Sequence, residues 1–274
     1  MEPLSALTIG GSDSSGGAGI QADLKTFMAL KIHGCSAITC ITAQNTCGVT
    51  RVDQLPPLSI EAQIQAVFSD IKISAIKTGM LLNSTNIEVT ASSLSKTKIP
   101  KIIDPVMVSR AGSVLLETKA VEAYKSLLFP QADLLTPNIH EASVLTGREI
   151  SLPKDVEDAA KMLIDQGAAS VLIKGGGLVN SKGSDYFLTS SQEGEWIRSQ
   201  YIETIHTHGT GCTLGAAITA YRAKGISLKE SIRKAKNFLQ ELLTKPLIIG
   251  SGPNPLSHWD ISPDLKIRGN ELLE

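Results

Sequence analysis

The 274-residue sequence has almost no net charge, −1 from 26 Lys and Arg against 27 Asp and Glu, and it lacks any run of basic residues. A nucleic-acid footprint normally shows as a clustered basic excess, so no nucleic-acid partner is expected. No apolar run approaches the roughly 18 residues of a membrane span, and none is expected to cross one. The chain enters an apparent strand at Ser5 behind acidic Glu2, without the pattern of a signal or transit peptide. Four cysteines, Cys35, Cys40, Cys47 and Cys212, form no C-x-x-C pair and lie in or near apolar runs. Free thiols in a reducing cytoplasm are the expectation, and a zinc site is not. Internal repeats and dividing linkers are also lacking. What remains is 42% hydrophobic, enough for a full core, with small neutral or anionic ligands as the expected partners.

Short β-branched runs at Ala6–Ile9, Ala37–Ile41, Ile102–Ile103 and Val171–Ile173 suit strands buried on both faces of a central parallel sheet. Between them, Ile20, Leu24, Phe27 and Met28, then Ile60, Ile64, Val67, Phe68 and Ile71, make helical stripes. Further helices are predicted over Thr118–Leu128, Ile139–Thr146, Asp155–Gln166, Cys212–Lys224 and Leu228–Leu243. A hairpin is predicted over Ser184–Arg198, with its turn near Gln192–Gly194. The alternation predicts one three-layer α/β domain over residues 1–261, followed by a C-terminal tail at 262–274 that frays or packs on the surface.

The stretch His208-Gly209-Thr210-Gly211-Cys212-Thr213 runs a glycine-rich turn straight into a helix of small residues. Unpaired N–H groups and the macrodipole favour an anion there, and glycines let the backbone wrap it. Cys212 would face that anion, its thiol lowered from about 8.5 towards neutrality by the helix N-terminus. A glycine-rich cap beside a buried cysteine stays open as the alternative. Near the start, Gly10-Gly11-Ser12-Asp13-Ser14-Ser15-Gly16-Gly17-Ala18-Gly19 follows a strand, and Gly17-Ala18-Gly19-Ile20-Gln21-Ala22 formally fits G-x-G-x-x-A. The acidic residue needed about 20 positions on is missing, as is the Walker G-K-[ST] pattern, so neither a dinucleotide fold nor a P-loop is expected. The loop is expected to close over a small substrate, with Asp23 in the first helical turn pointing back at it or merely favouring the helix start.

Asp104, Asn138 and Glu141 follow strands at their carboxyl ends and are hard oxygen donors suited to magnesium, although Asn138 equally reads as a helix N-cap. Lys174, ahead of three glycines, can reach a phosphate at the same edge or snorkel to solvent. The Gln44 amide suits the edge of an aminopyrimidine, or caps a turn. Met80 can lie on an aromatic ring, or fill core.

Taken together, Gly11 to Asp23, Ala43-Gln44-Asn45-Thr46, Gly79-Met80, Asp104-Pro105-Val106-Met107, Thr136-Pro137-Asn138 with Glu141, Lys174-Gly175-Gly176 and the His208–Cys212 turn resemble the hydroxymethylpyrimidine/phosphomethylpyrimidine kinases of thiamine biosynthesis, within the ribokinase-like superfamily. The resemblance runs from Ala6 to about Trp259. It implies a ribokinase-like α/β/α fold with a mostly parallel sheet and a pyrimidine pocket of Gly11, Asp23, Gln44, Met80 and Val106. It further implies an anion hole from Gly209, Thr210, Gly211 and Cys212. Lys174, Asn138 and Thr210 would lie on the ATP side, with magnesium at Asp104 and Glu141, and potassium as a further candidate cofactor. Cys212 stands where most ribokinase-like enzymes carry an aspartate base, and its implied role is that of a late proton acceptor. Where the family has an asparagine, this chain has His206.

The implied activity is ATP-dependent phosphorylation of 4-amino-5-hydroxymethyl-2-methylpyrimidine to its monophosphate and then its diphosphate. The implied assembly is a cytoplasmic homodimer formed through a β element near Thr50–Leu55. Two other readings stand beside it: a pyridoxal or pyridoxine kinase, and a pyrimidine-sensing domain without catalysis.

Overall fold

The computed structural model describes residues 2–107, 118–178 and 182–259. The expected tail at 262–274 lies outside them. In chain order come β1 (Ser5–Asp13), α1 (Gly19–Ala29), β2 (His33–Gln44), β3 (Val49–Gln54), α2 (Pro57–Asp70), β4 (Ile73–Thr78), α3 (Ser84–Leu94) and β5 (Lys101–Ile103). There follow α4 (Thr118–Ala123), β6 (Leu134–Leu135), α5 (Ile139–Thr146), α6 (Pro153–Asp165), β7 (Ser170–Lys174), β8 (Ser184–Thr189), β9 (Gln192–Arg198), α7 (Thr210–Ala223) and α8 (Leu228–Leu243).

The nine strands among the described residues join one sheet in the order β3-β2-β1-β4-β5-β6-β7-β8-β9. From β2 to β7 the pairs are parallel, while β3, β8 and β9 are added antiparallel at the edges. Strand residues alternate between two cores, as a pleated strand covered on both faces requires. Ile103, Leu135, Val171 and Ile173 pack with residues of α2 to α6, whereas Ile102, Leu134 and Leu172 pack with α1, α7 and α8. The result is the three-layer α/β/α arrangement expected. Because β1 connects through α1 to β2 on one side and lies beside β4 on the other, the chain reverses direction across the sheet at β1. Open α/β sheets place their ligand crevice at the carboxyl ends of strands flanking such a switch.

Local departures from the sequence expectations have local causes. The β8–β9 turn is at Ser190–Ser191, since Thr189 pairs with Gln192, and not at Gln192–Gly194. Gly194 is a strand residue held against Tyr186, where a Cβ would run into the phenol ring. The helix expected over Thr118–Leu128 is α-helical only to Ala123 and widens to a π-helical turn over Tyr124–Leu128, ahead of Phe129 and Pro130. Asp23 lies beyond the first turn of α1, so the expected placement at the helix start does not hold.

Candidate active site

A cavity of about 640 Å³ opens along the carboxyl edge of the sheet. Gly11, Asp23, Gln44, Met80, Asp104, Val106, Asn138, Glu141, Lys174 and the turn from Gly209 to Cys212 all line it, so every residue expected at the site meets in one space.

At one end, the β1–β2 register slips between Gly10 and Ser12, which turns the backbone at Gly11 out of the ladder. A Cβ on Gly11 would lie 2.7 Å from Met80 Cε, so glycine there lets the thioether lie flat across the strand end. Gln44 ends β2, half-buried, with its own N–H donating to the Ser14 hydroxyl at 2.8 Å. The Thr42 hydroxyl lies 2.9 Å from the Ser12 carbonyl and 3.1 Å from Gln44 Oε1. It holds one proton, and the shorter contact is with Ser12.

Asp23 lines the cavity, but its carboxylate is engaged within the protein. Its Oδ2 accepts from the Thr8 hydroxyl at 2.6 Å and from Lys77 Nζ at 2.9 Å, and both charged side chains are at most 2% exposed. Burial lifts the Asp23 carboxyl above its ordinary range against the pull of Lys77. Burial alone would depress Lys77, but the carboxylates of Asp23 and Asp104 outweigh it and hold the ammonium charged. Asp23 Oδ1 has no partner and lies inside the protein at the cavity wall.

The other end is built by α7. Gly209 caps it in the left-handed conformation (φ +79°), without a capping side chain; the Thr210 N–H turns back to the Thr207 carbonyl at 3.3 Å, and Gly211 and Cys212 behind it line the cavity. A Cβ on Gly209 would strike the Gly17 carbonyl, so the position needs glycine on both counts. The Thr210 hydroxyl turns back to the Thr207 carbonyl at 3.0 Å. Lys174 Nζ would be 3.5 Å from a Cβ on Gly211, placing the ammonium against the turn. Cys212 corrects its expectation. Burial pushes the thiol up to about 11, and neither Lys77 nor the Gly19 N–H offsets it. Desolvation of a thiolate here exceeds what the helix end supplies.

Between the two ends, Lys174 Nζ donates to Asp104 Oδ1 at 2.9 Å and lies 3.9 Å from Glu141 Oε2. Asn138 caps α5, its Oδ1 accepting from the Glu141 N–H at 2.9 Å while Glu141 Oε2 accepts from the Asn138 N–H at 2.7 Å. The cap commits that Asn138 oxygen, which leaves Asp104 and Glu141 as the hard donors. Burial lifts the Glu141 carboxyl to about 7, with Lys174 opposing and Asp104 reinforcing the rise. Two buried carboxylates sharing one lysine are short of positive charge, and this donor set fits a divalent cation that keeps most of its waters. Among the described residues, no cluster of three or more His, Cys, Asp or Glu makes a site closed by protein alone.

Sequence reasoning missed Lys77, the Asp13–His208 pair and a buried pair at the far wall. There Lys236 of α8 donates to Asp185 Oδ2 at 2.5 Å, and Asp185 Oδ1 accepts from the Gly175 N–H at 3.0 Å, fixing the turn after Lys174. His206, where the resemblance expects asparagine, accepts the Asn254 N–H on Nδ1 at 3.2 Å and so ties the loop before α7 to the C-terminal segment. The four cysteines are free, as expected. No helix among the described residues is long and apolar enough to cross a membrane.

The sequence pattern of the phosphomethylpyrimidine kinase family matches residues 13–257. The chain belongs to that family. A hydroxymethylpyrimidine/phosphomethylpyrimidine kinase of Synechococcus elongatus is 48% identical over 255 residues, covering 93% of this chain and 97% of the relative. Among solved structures, a phosphomethylpyrimidine kinase of Clostridium difficile superposes with a TM-score of 0.77 at 39% identity, covering 87% of this chain and 98% of its own. The ADP complex of a Bacillus subtilis pyridoxal kinase superposes with a TM-score of 0.85 at 37% identity, covering 94% and 98%. The kinase fold expected from the resemblance is therefore the fold observed, and ATP is the co-substrate of the family.

Proposed function

We propose that this kinase phosphorylates 4-amino-5-hydroxymethyl-2-methylpyrimidine on its alcohol and then phosphorylates the monophosphate, giving the diphosphate used for thiamine diphosphate. The observation that carries the reading is that a ring-and-amide subsite, Met80 over Gly11 with Gln44 beside it, opens into the same cavity as the uncapped head of α7. The ring edge of an aminopyrimidine offers a donor and an acceptor side by side, and one primary amide matches both.

Phosphoryl transfer is catalysed mainly by alignment and charge neutralisation. The amides of Gly211 and Cys212 receive the moving phosphoryl, Lys174 supplies a cation beside them, and Thr210 and Asn138 lie on the nucleotide side. Asp104 and Glu141 would hold magnesium, which would supply positive charge for the phosphates of ATP, with potassium as an auxiliary cation. At neutral pH the Cys212 thiol is protonated, so it holds the alcohol oxygen at the mouth of the anion hole rather than deprotonating it in advance. The activity resides in residues 1–261 as one domain, in the cytoplasm, and the exposed edge strand β3 pairs two copies into a homodimer.

A second reading, pyridoxal kinase activity, is favoured by the close superposition on the Bacillus subtilis pyridoxal kinase. Turnover with magnesium and ATP decides between them, with the hydroxymethylpyrimidine, its monophosphate and pyridoxal offered separately and the products resolved by mass. Diphosphate from the pyrimidine monophosphate is the expected result. Pyridoxal phosphate alone would move the chain to the B6 kinases, and binding without any product would leave a sensing domain.

A further inference from the structure

Asp13, the last residue of β1, and His208, two residues ahead of α7, are 195 positions apart in sequence. Their side chains meet at 2.9 Å between Oδ2 and Nε2, and both residues are buried. Asp13 is otherwise surrounded by donors. Its Oδ1 accepts from the Ser15 N–H and hydroxyl, each at 2.8 Å, and its Oδ2 accepts from the Ala18 N–H at 2.8 Å. Burial would raise this carboxyl, but the hydrogen bonds from His208, Ser15 and Ala18 hold it below the usual range. An ionised carboxylate can only accept, so the His208 nitrogen facing it carries the proton. That nitrogen then has no lone pair for the Gln44 amide, whose Nε2 stands 3.5 Å from it.

The two backbone turns meet at the same place. A Cβ on Gly17 would run into the His208 ring, and one on Gly209 into the Gly17 carbonyl. Asp13, Ala18 and Gly19 line the cavity on the side of Gly11, and Thr207 to Cys212 line it at the head of α7.

We propose that Asp13 and His208 form a clasp between the turn covering the pyrimidine and the turn receiving the phosphoryl group, with His208 a positioning residue that keeps the Gln44 amide uncommitted for the substrate. The proposal rests on the pyrimidine-kinase reading given above. It assigns His208 no contact with the reacting atoms. Its effect is to set the distance between the two subsites and to stop the imidazole from competing with the ring for the amide.

Nitrogen-15 NMR of the full-length protein tests the first half. The sequence has five histidines, and His208→Leu identifies the relevant signal. Above pH 8, His208 is expected as the Nε2–H tautomer, and Asp13→Asn is expected to mix the tautomers. Kinetics test the second half. His208→Leu is expected to raise KM for the pyrimidine by about tenfold or more, because Asp13 loses its donor and the two turns lose the tie between them. KM for ATP should stay within about twofold, and pyridoxal turnover should fall less than pyrimidine turnover. His208→Gln places an amide donor where Nε2 stood and should restore most of the pyrimidine affinity. A wild-type Nδ1–H tautomer would overturn the clasp, as would equal losses towards both substrates in a folded His208→Leu. Wild-type turnover of pyridoxal alone, with the Nε2–H tautomer retained, would instead overturn the substrate reading and leave the clasp standing.

Discussion

Lys77→Met is the perturbation whose size follows most directly from the structure. Methionine keeps the apolar stem, which passes so close under α7 that a Cβ on Gly215 would lie 2.9 Å from Lys77 Cε, and it deletes only the charge. Asp23 is then left buried, with Thr8 as its only hydrogen-bond donor and Oδ1 still without a partner among the described residues. Removing one member of a buried ion pair costs about 3–5 kcal/mol, because the remaining charge is uncompensated. In a chain of this size about 1 kcal/mol moves Tm by roughly 2–4 °C, so a fall on the order of 10 °C is expected at pH 8.

The loss should depend on pH in a defined direction. Without Lys77, the folded-state pKa of Asp23 rises further above its unfolded value of about 3.9. The folded protein then binds the proton more tightly than the unfolded chain, so stability falls as pH climbs from near 4 towards the folded pKa and levels off above it. Thermal unfolding by circular dichroism at pH 5 and pH 8 should therefore show the smaller deficit at pH 5. Asp23→Leu combined with Lys77→Met should recover most of the loss, since both charges have gone. An equal deficit at both pH values, with a double variant no more stable than the single one, would refute the account of Lys77 as counterion to Asp23.

Three further outcomes are expected. Alkylation of Cys212 by iodoacetamide, followed by peptide mass because Cys47 is exposed, should be slow at pH 7 and keep rising beyond pH 9; a plateau near neutrality would mean the helix end outweighs burial. Magnesium binding needs Glu141 ionised, so calorimetry in two buffers should show proton release at pH 6 and little at pH 8, with affinity rising up to about pH 7. Glu141→Gln should abolish the release, and equal wild-type affinity at both pH values would argue against Glu141 as a ligand. Gly209→Ala should abolish turnover and lower Tm, whereas Gly147→Ala, also at positive φ but with open space around it, should cost only about 1 kcal/mol and leave activity intact. Equal effects would show that the contact with Gly17 does not matter.

The parts of the fold that were legible in the sequence are those where burial is periodic. Ile102–Ile103 and Val171–Ile173 divide their side chains between two cores, and α8 matches its expected span, because those residues meet no competing requirement. The glycine-rich turns were legible for a similar reason: Gly11, Gly17 and Gly209 each mark a place where another group comes too near for a Cβ. Misreadings arose where a local rule met a tertiary contact. Gly194 reads as a turn residue but is spaced by Tyr186, and the Cys212 thiol, which by sequence should obey its helix end, obeys its burial.

The pairs at the site left no local mark, since Asp13 and His208 lie 195 residues apart, Asp23 and Lys77 lie 54 apart, and Asp185 and Lys236 lie 51 apart. One of them was nevertheless within reach. Lys77 interrupts an otherwise apolar stretch, Ala75-Ile76-Lys77, directly before Thr78-Gly79-Met80. A lysine in a strand covered by helices on both faces cannot snorkel from the middle of the sheet and must find a carboxylate. The carboxylates that act on Lys77 there are Asp23, inside α1, and Asp104, directly after β5. A charged residue that breaks a buried strand next to a glycine turn is thus better evidence for a site than the glycines themselves. Glycine reports only that space is short, whereas the buried charge requires a partner and so points to where that partner lies.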